Sequence, residues 1–582
     1  MSDNASAPLV SGSPETSRAE TAGRVALWIV FLAAAGFRWS VAGRGLDLTD
    51  ESFALLAAGH PEEMRAWPSL FFGYTAPLFT LAGGDIALMR RLGLVLFLAA
   101  GAVLARGTAR WLQGEPGALK AGSLFTVVGL GSLVYYSRGI SVPNYNHVTA
   151  CGLAMGFGLL LVALRSEAGH GRLALIGSGF GLASAAASKP PAILALIAAG
   201  LWLIARRQST GGLIWLLAGV ATAWAVPLTI HSPREAFDAV KTGVEVFQVR
   251  GDRYAFGEAL GVYAIQAFQL LGQTAEYIAL PLLAALTARA PGAWFSRWPR
   301  SLTPLVVLFV VLLFAGALPG GRSAARSGRT TAAILAAIIV CAGPGRALFV
   351  RMARPDRWPV LLAALVLPIV GVLATNTNFS SALLLFMGPW FLLVPICMTN
   401  STFGGAERLV RSAAPALIAA FASTSAPYTS PYGLTAPFSE QTVPTTLGQP
   451  PTSILTDRQT ARFLGRLASA ARECGFSPGQ DIIGLLEMPG FVFALGGVAP
   501  ATPYLSRYGT GFEDAVSLAL SIVPEARLRR SFVLVNDHAI RLGSFSIAGK
   551  RIPDDYDVCF DRDGPSKYGN MRVRLLRPRM ER

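Results

Sequence analysis

The chain has 582 residues, of which 52% are hydrophobic and only 14% are charged, and its mean hydropathy is +0.48. Soluble domains usually carry about 25% charged residues, so this composition argues against a soluble chain and indicates a bilayer as its solvent. The formal net charge is +16, yet Lys and Arg stand singly or in pairs between apolar runs. That distribution excludes a basic nucleic-acid-binding face and is typical of membrane topology signals.

Runs of mostly apolar residues, each ended by Arg or Lys, predict a polytopic α-helical membrane protein with about thirteen transmembrane helices. The predicted centres are Phe31, Phe97, Val127, Gly156, Gly179, Ala198, Gly219, Gly272, Leu312, Ile338, Val366, Phe386 and Leu417. With residues 1–23 as a cytoplasmic tail, most basic clusters fall on the inside, as the positive-inside rule expects. The segment that carries Arg322, Arg326 and Arg329 is the exception.

The predicted transmembrane domain covers residues 24–425, and a small α/β soluble domain covers residues 426–582 on the outer face. In this second domain SFVLVND predicts a strand, ARFLGRLASAARECG predicts an amphipathic helix, and TSPYGLTAPFSEQTVPTTLGQPPTS predicts an irregular linker. Outside the cytoplasm, Cys474 and Cys559 could form a disulfide. Two long outer loops, 44–90 and 231–258, indicate that the functional site lies at the outer surface of the membrane.

Three acids follow the first apolar run, in the segment RGLDLTDESFALLAAG. Thr49 is predicted to cap a helix whose first turn contains Asp50 and Glu51, where the helix dipole favours negative charge. A helix start alone would explain that pair. However, Asp47, Asp50 and Glu51 leave the membrane beside the apolar segment AWPSLFFGYTAPLF, so a carboxylate held there would be partly desolvated and would be a stronger base.

The first outer loop, with Arg38 near the end of the first span and then Asp50-Glu51, resembles that of the GT-C glycosyltransferases. The resemblance is to the branch of protein O-mannosyltransferases and lipid A aminoarabinose transferases. Three further segments resemble this branch in the same order, over roughly residues 1–210: GGDIALMRRLGLVLF, YYSRGISVPNYNHVTA and GLASAAASKPPAILAL. They resemble the entries into the second and fourth spans and a small-residue helix that ends in a Lys motif.

The resemblance implies an inverting transfer of a sugar from a polyprenyl-phosphate donor to a hydroxyl of an envelope acceptor, at the outer face of the bacterial inner membrane. This reaction needs a base for the hydroxyl proton and positive charge for the departing phosphate. Asp50 matches the family's catalytic acid, and Glu51 and Asp47 are alternatives or positioning groups. The candidate ligands of the lipid phosphate are Arg90, Arg91, Arg138, Lys189, Arg250 and Arg253.

Neutral groups complete the predicted site. Asn144 and Asn146 stand where the aminoarabinose branch carries an Asp, so they could orient sugar hydroxyls but not act as a base, which leaves the sugar and the acceptor open. Glu276 is predicted to line the cavity, on a helix face shared with Gln266, Gln269 and Gln273, although hydrogen bonding between helices explains the glutamines equally well. Asn376 and Asn378 are further neutral candidates between two late spans.

No cofactor is expected. The three acids could ligate a divalent cation, but the branch resembled is generally not metal-dependent, and the five His residues lack paired ligand spacing. The alternative function is a transporter or flippase of a lipid-linked or polar substrate, against which the position of the acids in an outer loop argues. A third hypothesis, an envelope scaffold whose C-terminal domain binds glycan or protein, predicts that Asp50 tolerates substitution.

Overall fold

The computed structural model describes residues 14–113, 118–138, 141–166, 168–206, 210–250, 256–287, 323–342, 358–373, 378–399, 404–429, 433–505, 511–536, 546–565 and 571–579. Most of them are helical. The helices before the C-terminal domain are α1 (Pro14–Ser40), α2 (Asp50–Gly59), α3 (Phe72–Leu81), α4 (Ile86–Trp111), α5 (Ala121–Ser132), α6 (Tyr145–Ala163), α7 (Ala168–Ser188), α8 (Ile193–Ala205), α9 (Thr210–Ala225), α10 (Pro233–Val249), α11 (Phe256–Thr287), α12 (Ser323–Ala342), α13 (Trp358–Val372), α14 (Phe379–Leu383), α15 (Leu393–Met398) and α16 (Gly405–Thr429).

Four stretches in the described part of the chain are helical, long and apolar enough to cross a membrane. They are Arg18–Ser40, Ile86–Trp111, Tyr145–Ala163 and Gly211–Thr229, and shorter apolar helices lie beside them. Large apolar side chains stay exposed on α1, among them Val25, Ile29 and Leu32. Extended apolar surface of this kind is typical of contact with lipid chains. The predicted span centre at Leu312 lies outside the described residues.

Small residues allow the long helices to approach closely. Gly179 on α7 faces the backbone of α9, where an added Cβ would lie 2.0 Å from the Leu216 carbonyl oxygen. In return, Gly219 on α9 faces Ile176, and Gly107 on α4 faces Gly158 on α6. Helices that pack in lipid commonly meet at such residues, because backbone contact replaces the missing hydrophobic drive. These contacts hold α7 against α9 and α4 against α6.

The C-terminal region forms a small α/β domain, as predicted. Its helices are α17 (Arg458–Glu473), α18 (Pro489–Leu495), α19 (Phe512–Leu520) and α20 (Glu525–Leu528), and its strands are β1 (Val443–Leu447), β2 (Thr452–Thr456), β3 (Ile482–Leu485), β4 (Phe532–Asn536), β5 (Ser546–Ile547), β6 (Lys550–Arg551), β7 (Tyr556–Asp563) and β8 (Arg572–Pro578). The main sheet has the order β3-β4-β8-β7, in which only β3 and β4 are parallel.

Two sequence-based expectations for this region are confirmed and one is wrong. The predicted strand corresponds to β4 and the predicted amphipathic helix to α17. The predicted irregular linker, however, ends in the antiparallel hairpin β1-β2. Its alternating Thr, Val, Ile and Leu residues suit a strand, and the Pro and Gly residues around them serve as the turn. The helix before it, α16, continues to Thr429, beyond the predicted domain boundary at residue 425.

Cys474 and Cys559 form a disulfide, with their Cα atoms 5.8 Å apart. The bond joins the end of α17 to β7 and closes a sequence separation of 85 residues. Disulfides persist in oxidising compartments and are rare in the cytosol. The pair therefore fits a domain that is held outside the cytoplasm.

Candidate functional site

The backbone of the loop that carries the acids is fixed by Asp47. Its Oδ1 accepts hydrogen bonds from the amide and the hydroxyl of Thr49, at 3.0 and 2.7 Å, and its Oδ2 accepts one from the Glu51 amide at 3.3 Å. Thr49 holds the predicted N-cap position but makes no side-chain cap bond. Asp47 thus satisfies the amides at the start of α2, a role that was predicted for Thr49.

Asp47 is only 1% exposed. The pKa of Asp47 is raised to about 7, chiefly by burial and also by the negative charges of Asp50 and Glu51, while the hydrogen bonds from Thr49 oppose the shift. The value would suit a general base near neutral pH. Yet the side chain lies beneath Gly433 of the C-terminal region, where an added Cβ would come within 2.2 Å of the Asp47 Cγ. A substrate hydroxyl would have to displace that segment to reach it.

Glu51 is held by Arg90, 39 residues away on α4. The Arg90 Nε donates to Oε1 at 2.9 Å and the Arg90 Nη2 donates to Oε2 at 2.6 Å, which is the two-bond geometry of a strong Arg–carboxylate pair. The Val142 amide adds a third bond to Oε1 at 3.2 Å. Both side chains of the ion pair are buried, at 5% and 1% exposure.

The prediction that Arg90 binds the lipid phosphate is therefore corrected. Besides Glu51, its guanidinium donates to the carbonyl oxygens of Ala42, Arg44 and Gly45, at 2.7, 3.1 and 2.7 Å. Every nitrogen of the group is engaged within the protein, so no donor remains for a phosphate. Arg90 instead fixes the turn between α1 and α2, and with it the position of the acids. By the same argument Glu51 serves as a structural partner, which fits its predicted role as a positioning group and not the alternative role of base.

Asp50 occupies a different position from the other two acids. It lies in the first turn of α2 and is half-exposed, whereas Asp47 and Glu51 are buried. One turn further on, the Phe53 ring packs against Trp67 and Tyr504, with ring centroids 4.4 and 5.5 Å away.

These aromatic rings come from separate parts of the chain. Trp67 belongs to the first outer loop, Tyr504 to the C-terminal domain, and Tyr145 to the start of α6, with its centroid 6.4 Å from that of Trp67. Trp67, Tyr145 and Tyr504 are all half-exposed. Phe53, three residues after Asp50 on α2, thus packs against a surface of aromatic rings, and such rings offer flat apolar faces and polar tips. Sequence analysis missed Tyr504, because no pattern links it to α2.

Lys189 is 3% exposed between α7 and α8. Its Nζ donates to the Gly371 carbonyl oxygen at 2.6 Å and to the Asn146 Oδ1 at 3.4 Å, and it stands 4.8 Å from the centre of the Phe386 ring. Within the described ranges, Lys189 forms no ion pair with a carboxylate. A buried cation without a counter-charge is costly, so the geometry keeps Lys189 as a candidate ligand for an anion.

The other predicted cations are dispersed. The Arg91 guanidinium stacks over the Trp39 ring at 5.3 Å, at the surface of α1. Arg250 ends α10, where it is buried against the Phe247 ring at 4.4 Å. Arg138 is the last residue of the 3-10 turn Leu133–Arg138, and Arg253 lies outside the described residues.

Asn144 caps α6, because its Oδ1 accepts from the amides of Asn146 and His147 at 2.9 and 3.1 Å. The Tyr135 hydroxyl donates to the same oxygen at 3.3 Å. Asn144 therefore acts first as a helix cap, and Asn146 as a partner of Lys189, rather than as the predicted sugar ligands.

Two late elements carry the remaining polar candidates. Glu276, which was predicted to line the cavity, is exposed on α11 in the part of the chain that the structure describes. Its neighbour Gln266 accepts a bond from the Phe379 amide at 2.6 Å, as the helix-to-helix alternative expected. Asn378 caps α14, while Asn376 lies outside the described residues.

The C-terminal domain covers the acidic loop through backbone contacts. The Leu455 amide of β2 donates to the Gly43 carbonyl oxygen, and the Gly45 amide donates back to the Leu455 oxygen at 2.7 Å. The Gly490 amide of α18 donates to the Leu48 carbonyl oxygen at 2.9 Å. The loop and this domain therefore form one continuous structure.

In the part of the chain that the structure describes, no group of three or more His, Cys, Asp or Glu side chains is placed to hold a metal ion. No protein-family model matches the chain, and no curated protein matches it in sequence.

Proposed function

We propose that this chain is a GT-C glycosyltransferase of the bacterial inner membrane, which moves a sugar from a polyprenyl-phosphate donor to a hydroxyl of an envelope acceptor. The four ordered motifs, the long apolar helices and the acidic loop directly after the first of them support this proposal. The N-terminus would lie in the cytoplasm. The disulfide between Cys474 and Cys559 favours a periplasmic or extracellular C-terminal domain.

The observation that carries the proposal is the different state of the three acids. Asp47 caps α2, and Glu51 is bound by Arg90. Asp50 alone of the three is half-exposed, and it lies on α2 three residues before Phe53, whose ring packs against Trp67 and Tyr504. A base must reach the proton that it removes, so exposure favours Asp50 over its two neighbours.

In the proposed reaction the acceptor oxygen attacks the anomeric carbon of the donor, and its proton passes to the Asp50 carboxylate. The bond between that carbon and the phosphate oxygen breaks, and its electron pair leaves with the lipid phosphate. Attack from the face opposite the leaving group inverts the configuration. A buried cation such as Lys189 would stabilise the charge on the departing phosphate. The reaction as written needs no cofactor.

The test is transfer of labelled sugar from a panel of polyprenyl-phosphate donors in membranes that contain the wild type, Asp50→Asn or Asp238→Asn at matched levels. Asp238 is an exposed acid on α10 and serves as the control. We expect Asp50→Asn to lower the rate by about 10²-fold to 10⁴-fold, which is the range for loss of a general base, and Asp238→Asn to leave it unchanged.

Full activity of Asp50→Asn would remove Asp50 from the mechanism. A wild type that turns over none of the donors but moves one of them across the membrane would overturn the proposal in favour of a flippase.

A further inference from the structure

Arg38 is a buried cation on α1 that the proposed mechanism does not use. It is 5% exposed and lies near the outer end of the helix. Its Nη2 donates to the carbonyl oxygen of Tyr136, at 2.8 Å, and to that of Ser423 on α16. Its Cζ is 5.6 Å from the centre of the Tyr136 ring. These contacts hold the guanidinium between α1, the 3-10 turn Leu133–Arg138 and α16.

Among the described residues, several buried polar atoms at this point have no hydrogen-bond partner. They are Nε and Nη1 of Arg38, the hydroxyl of Tyr136 and the hydroxyl of Ser137. Within the described ranges, Arg38 also forms no ion pair with a carboxylate. A buried donor that is left unpaired costs about 1–3 kcal/mol, and more when it is charged. Three neighbouring residues whose donors and acceptors have no hydrogen-bond partner indicate a ligand rather than accidental imperfections of packing.

The chemistry of these atoms selects an anion with several oxygens. The Arg38 nitrogens only donate, and the two hydroxyls donate as readily as they accept, so together they offer donors and one positive charge. A phosphate brings three acceptor oxygens and negative charge to match them. A neutral hydroxyl compound would leave the charge of Arg38 without a counter-ion.

The position of the cluster indicates that the phosphate is attached to a lipid. The next residue, Trp39, is 46% exposed, and Ile29 and Leu32 on the same helix are also exposed apolar side chains. Arg38 thus lies directly behind a surface suited to lipid chains. A phosphate at the membrane surface would reach it sideways from the bilayer, with its hydrocarbon chain lying along α1.

We propose that Arg38, Tyr136 and Ser137 bind the phosphate of the polyprenyl carrier. The identity of the carrier rests on the proposed function, whereas phosphate binding itself does not. Because Arg90 is bound to Glu51, Arg38 takes the place predicted for it. Lys189 is linked to the same 3-10 turn through Asn146, Asn144 and Tyr135. Both buried cations are therefore connected to one turn.

The experiment measures binding of farnesyl phosphate to the full-length protein in detergent, by calorimetry and by the shift in unfolding temperature. Farnesol and inorganic phosphate are the comparison ligands. The variants are Tyr136→Phe and Arg38→Gln. The matched controls are Tyr74→Phe and Arg529→Gln, which removes one partner of an exposed ion pair in the C-terminal domain. The Tyr74 hydroxyl donates to the Ala223 carbonyl oxygen at 2.9 Å, so its removal weakens the fold and not the proposed site.

We expect Tyr136→Phe to keep or raise the unfolding temperature of the ligand-free protein, because it deletes a hydroxyl that has no partner. The same variant should lower the affinity for farnesyl phosphate about tenfold or more, which is the loss expected for one hydrogen bond to a charged group. Arg38→Gln should weaken it more. Tyr74→Phe should lower the unfolding temperature without changing affinity, and Arg529→Gln should bind farnesyl phosphate as the wild type does.

Equal affinity of the wild type and Tyr136→Phe would overturn the proposal, as would absence of farnesyl phosphate binding to the wild type. Farnesol that binds as tightly would show that the chain, not the phosphate, is recognised. If inorganic phosphate bound as tightly as farnesyl phosphate, the lipid chain would not contribute to binding, and the proposal that the bound phosphate belongs to a lipid would be overturned. Because no sugar is transferred in this experiment, a protein that binds farnesyl phosphate as expected but transfers no sugar would refute the proposed function alone.

Discussion

The ion pair between Glu51 and Arg90 is buried and bonded at both ends, so removal of either partner leaves an uncompensated charge inside the protein. We expect Arg90→Gln or Glu51→Gln to lower the free energy of unfolding by about 3–5 kcal/mol. The double variant should lose less than the sum of the two, because it buries no unpaired charge. Thermal unfolding of the four proteins in detergent measures these differences.

Arg529→Gln is the matched control, because Arg529 pairs with Glu525 on the surface at 48% and 64% exposure. Pairs of that kind contribute less than about 1 kcal/mol. If Arg90→Gln proved no more harmful than Arg529→Gln, the pair would not be structural and Arg90 would return as a phosphate ligand.

Asp47 gives the protein a stability that depends on pH. The folded chain holds a proton on this group with a pKa of about 7, against an ordinary value of 3.8. Above pH 7 the buried charge opposes folding, and this cost is relieved as the pH falls from 7 towards 4, since the folded state then binds the extra proton. A shift of about three units corresponds to roughly 4 kcal/mol as an upper bound.

We therefore expect the unfolding temperature of the wild type, relative to that of Asp47→Asn, to rise from about pH 8 to about pH 5. Asn at this position cannot titrate, and Asp238→Asn, with an exposed acid removed, should follow the wild type. Parallel pH profiles for the wild type and Asp47→Asn would show that Asp47 has an ordinary pKa in the folded protein.

At single positions, the sequence predicted local relations better than distant ones. The start of α2 next to Asp50 followed from the helix signals of Thr49, Asp50 and Glu51. The partner of Glu51 could not be found in this way, because Arg90 lies on another helix and pairs only through the tertiary fold. The cap by Asp47 instead of Thr49 was also missed, since both residue types suit that role and only geometry chooses between them.

Helix α9 is held against α7 by the absence of a side chain at Gly219. An added methyl group would come within 2.0 Å of the Ile176 carbonyl oxygen, which cannot move without the helix. We expect Gly219→Ala to destabilise the protein by at least the 1–3 kcal/mol that is typical of overpacking. Thermal unfolding in detergent is the measurement.

Gly36→Ala on α1 is the control, because a Cβ there meets nothing within 4 Å. It should be neutral or stabilising by up to about 1 kcal/mol, because Ala favours a helix over Gly. If both variants behaved alike, the close approach of α7 and α9 would be contradicted.

Elements with a clear period were predicted from the sequence, and elements that depend on a partner were not. Helix α17 shows apolar residues at helical spacing, such as Phe463, Leu464 and Leu467, and it was recognised. The hairpin β1-β2 contains Pro, Gly and many Thr residues, which favour a loop when read alone. Its strand β2 forms further backbone hydrogen bonds with Gly43 and Gly45, just after α1. No local sequence pattern predicts a partner so distant in sequence.

The disulfide stabilises the C-terminal domain as a whole, because it restricts the unfolded chain across a long separation. For 85 residues the loop-closure model gives about 4.6 kcal/mol. We expect the free energy of unfolding of the double variant Cys474→Ala/Cys559→Ala to be lower than that of the wild type by this amount. Its unfolding temperature should be lower as well. A reductant should lower the unfolding temperature of the wild type to that of the variant, and it should leave the unfolding temperature of the variant unchanged.

The same pair tests orientation. In intact cells, a membrane-impermeant maleimide should label Cys474 and Cys559 only after reduction with an agent that also stays outside. Free thiols that are shielded from the external reagent would place this domain in the cytoplasm and would contradict the proposed topology.

The sequence predicts two parts, a membrane domain and an attached outer domain. In the structure these two parts pack directly against each other at the candidate site. Arg527 of the C-terminal domain bonds to Asp481 and also to Glu63 in the first outer loop, at 2.9 Å. Together with the contacts at Gly45 and Leu48, this bridge makes the outer domain part of the candidate site. The sequence separated the two because composition changes sharply near residue 426, and composition does not record which surfaces meet.

The contact between Gly45 and Leu455 has a consequence for biogenesis. Chains are made from the N-terminus onwards, so the acidic loop is synthesised long before the strand that covers it. Until that strand is made, Asp47 and Glu51 lack part of their final surroundings. In the proposed topology the strand must also cross the membrane, so a chain stopped before export of its C-terminal domain would lack an assembled site.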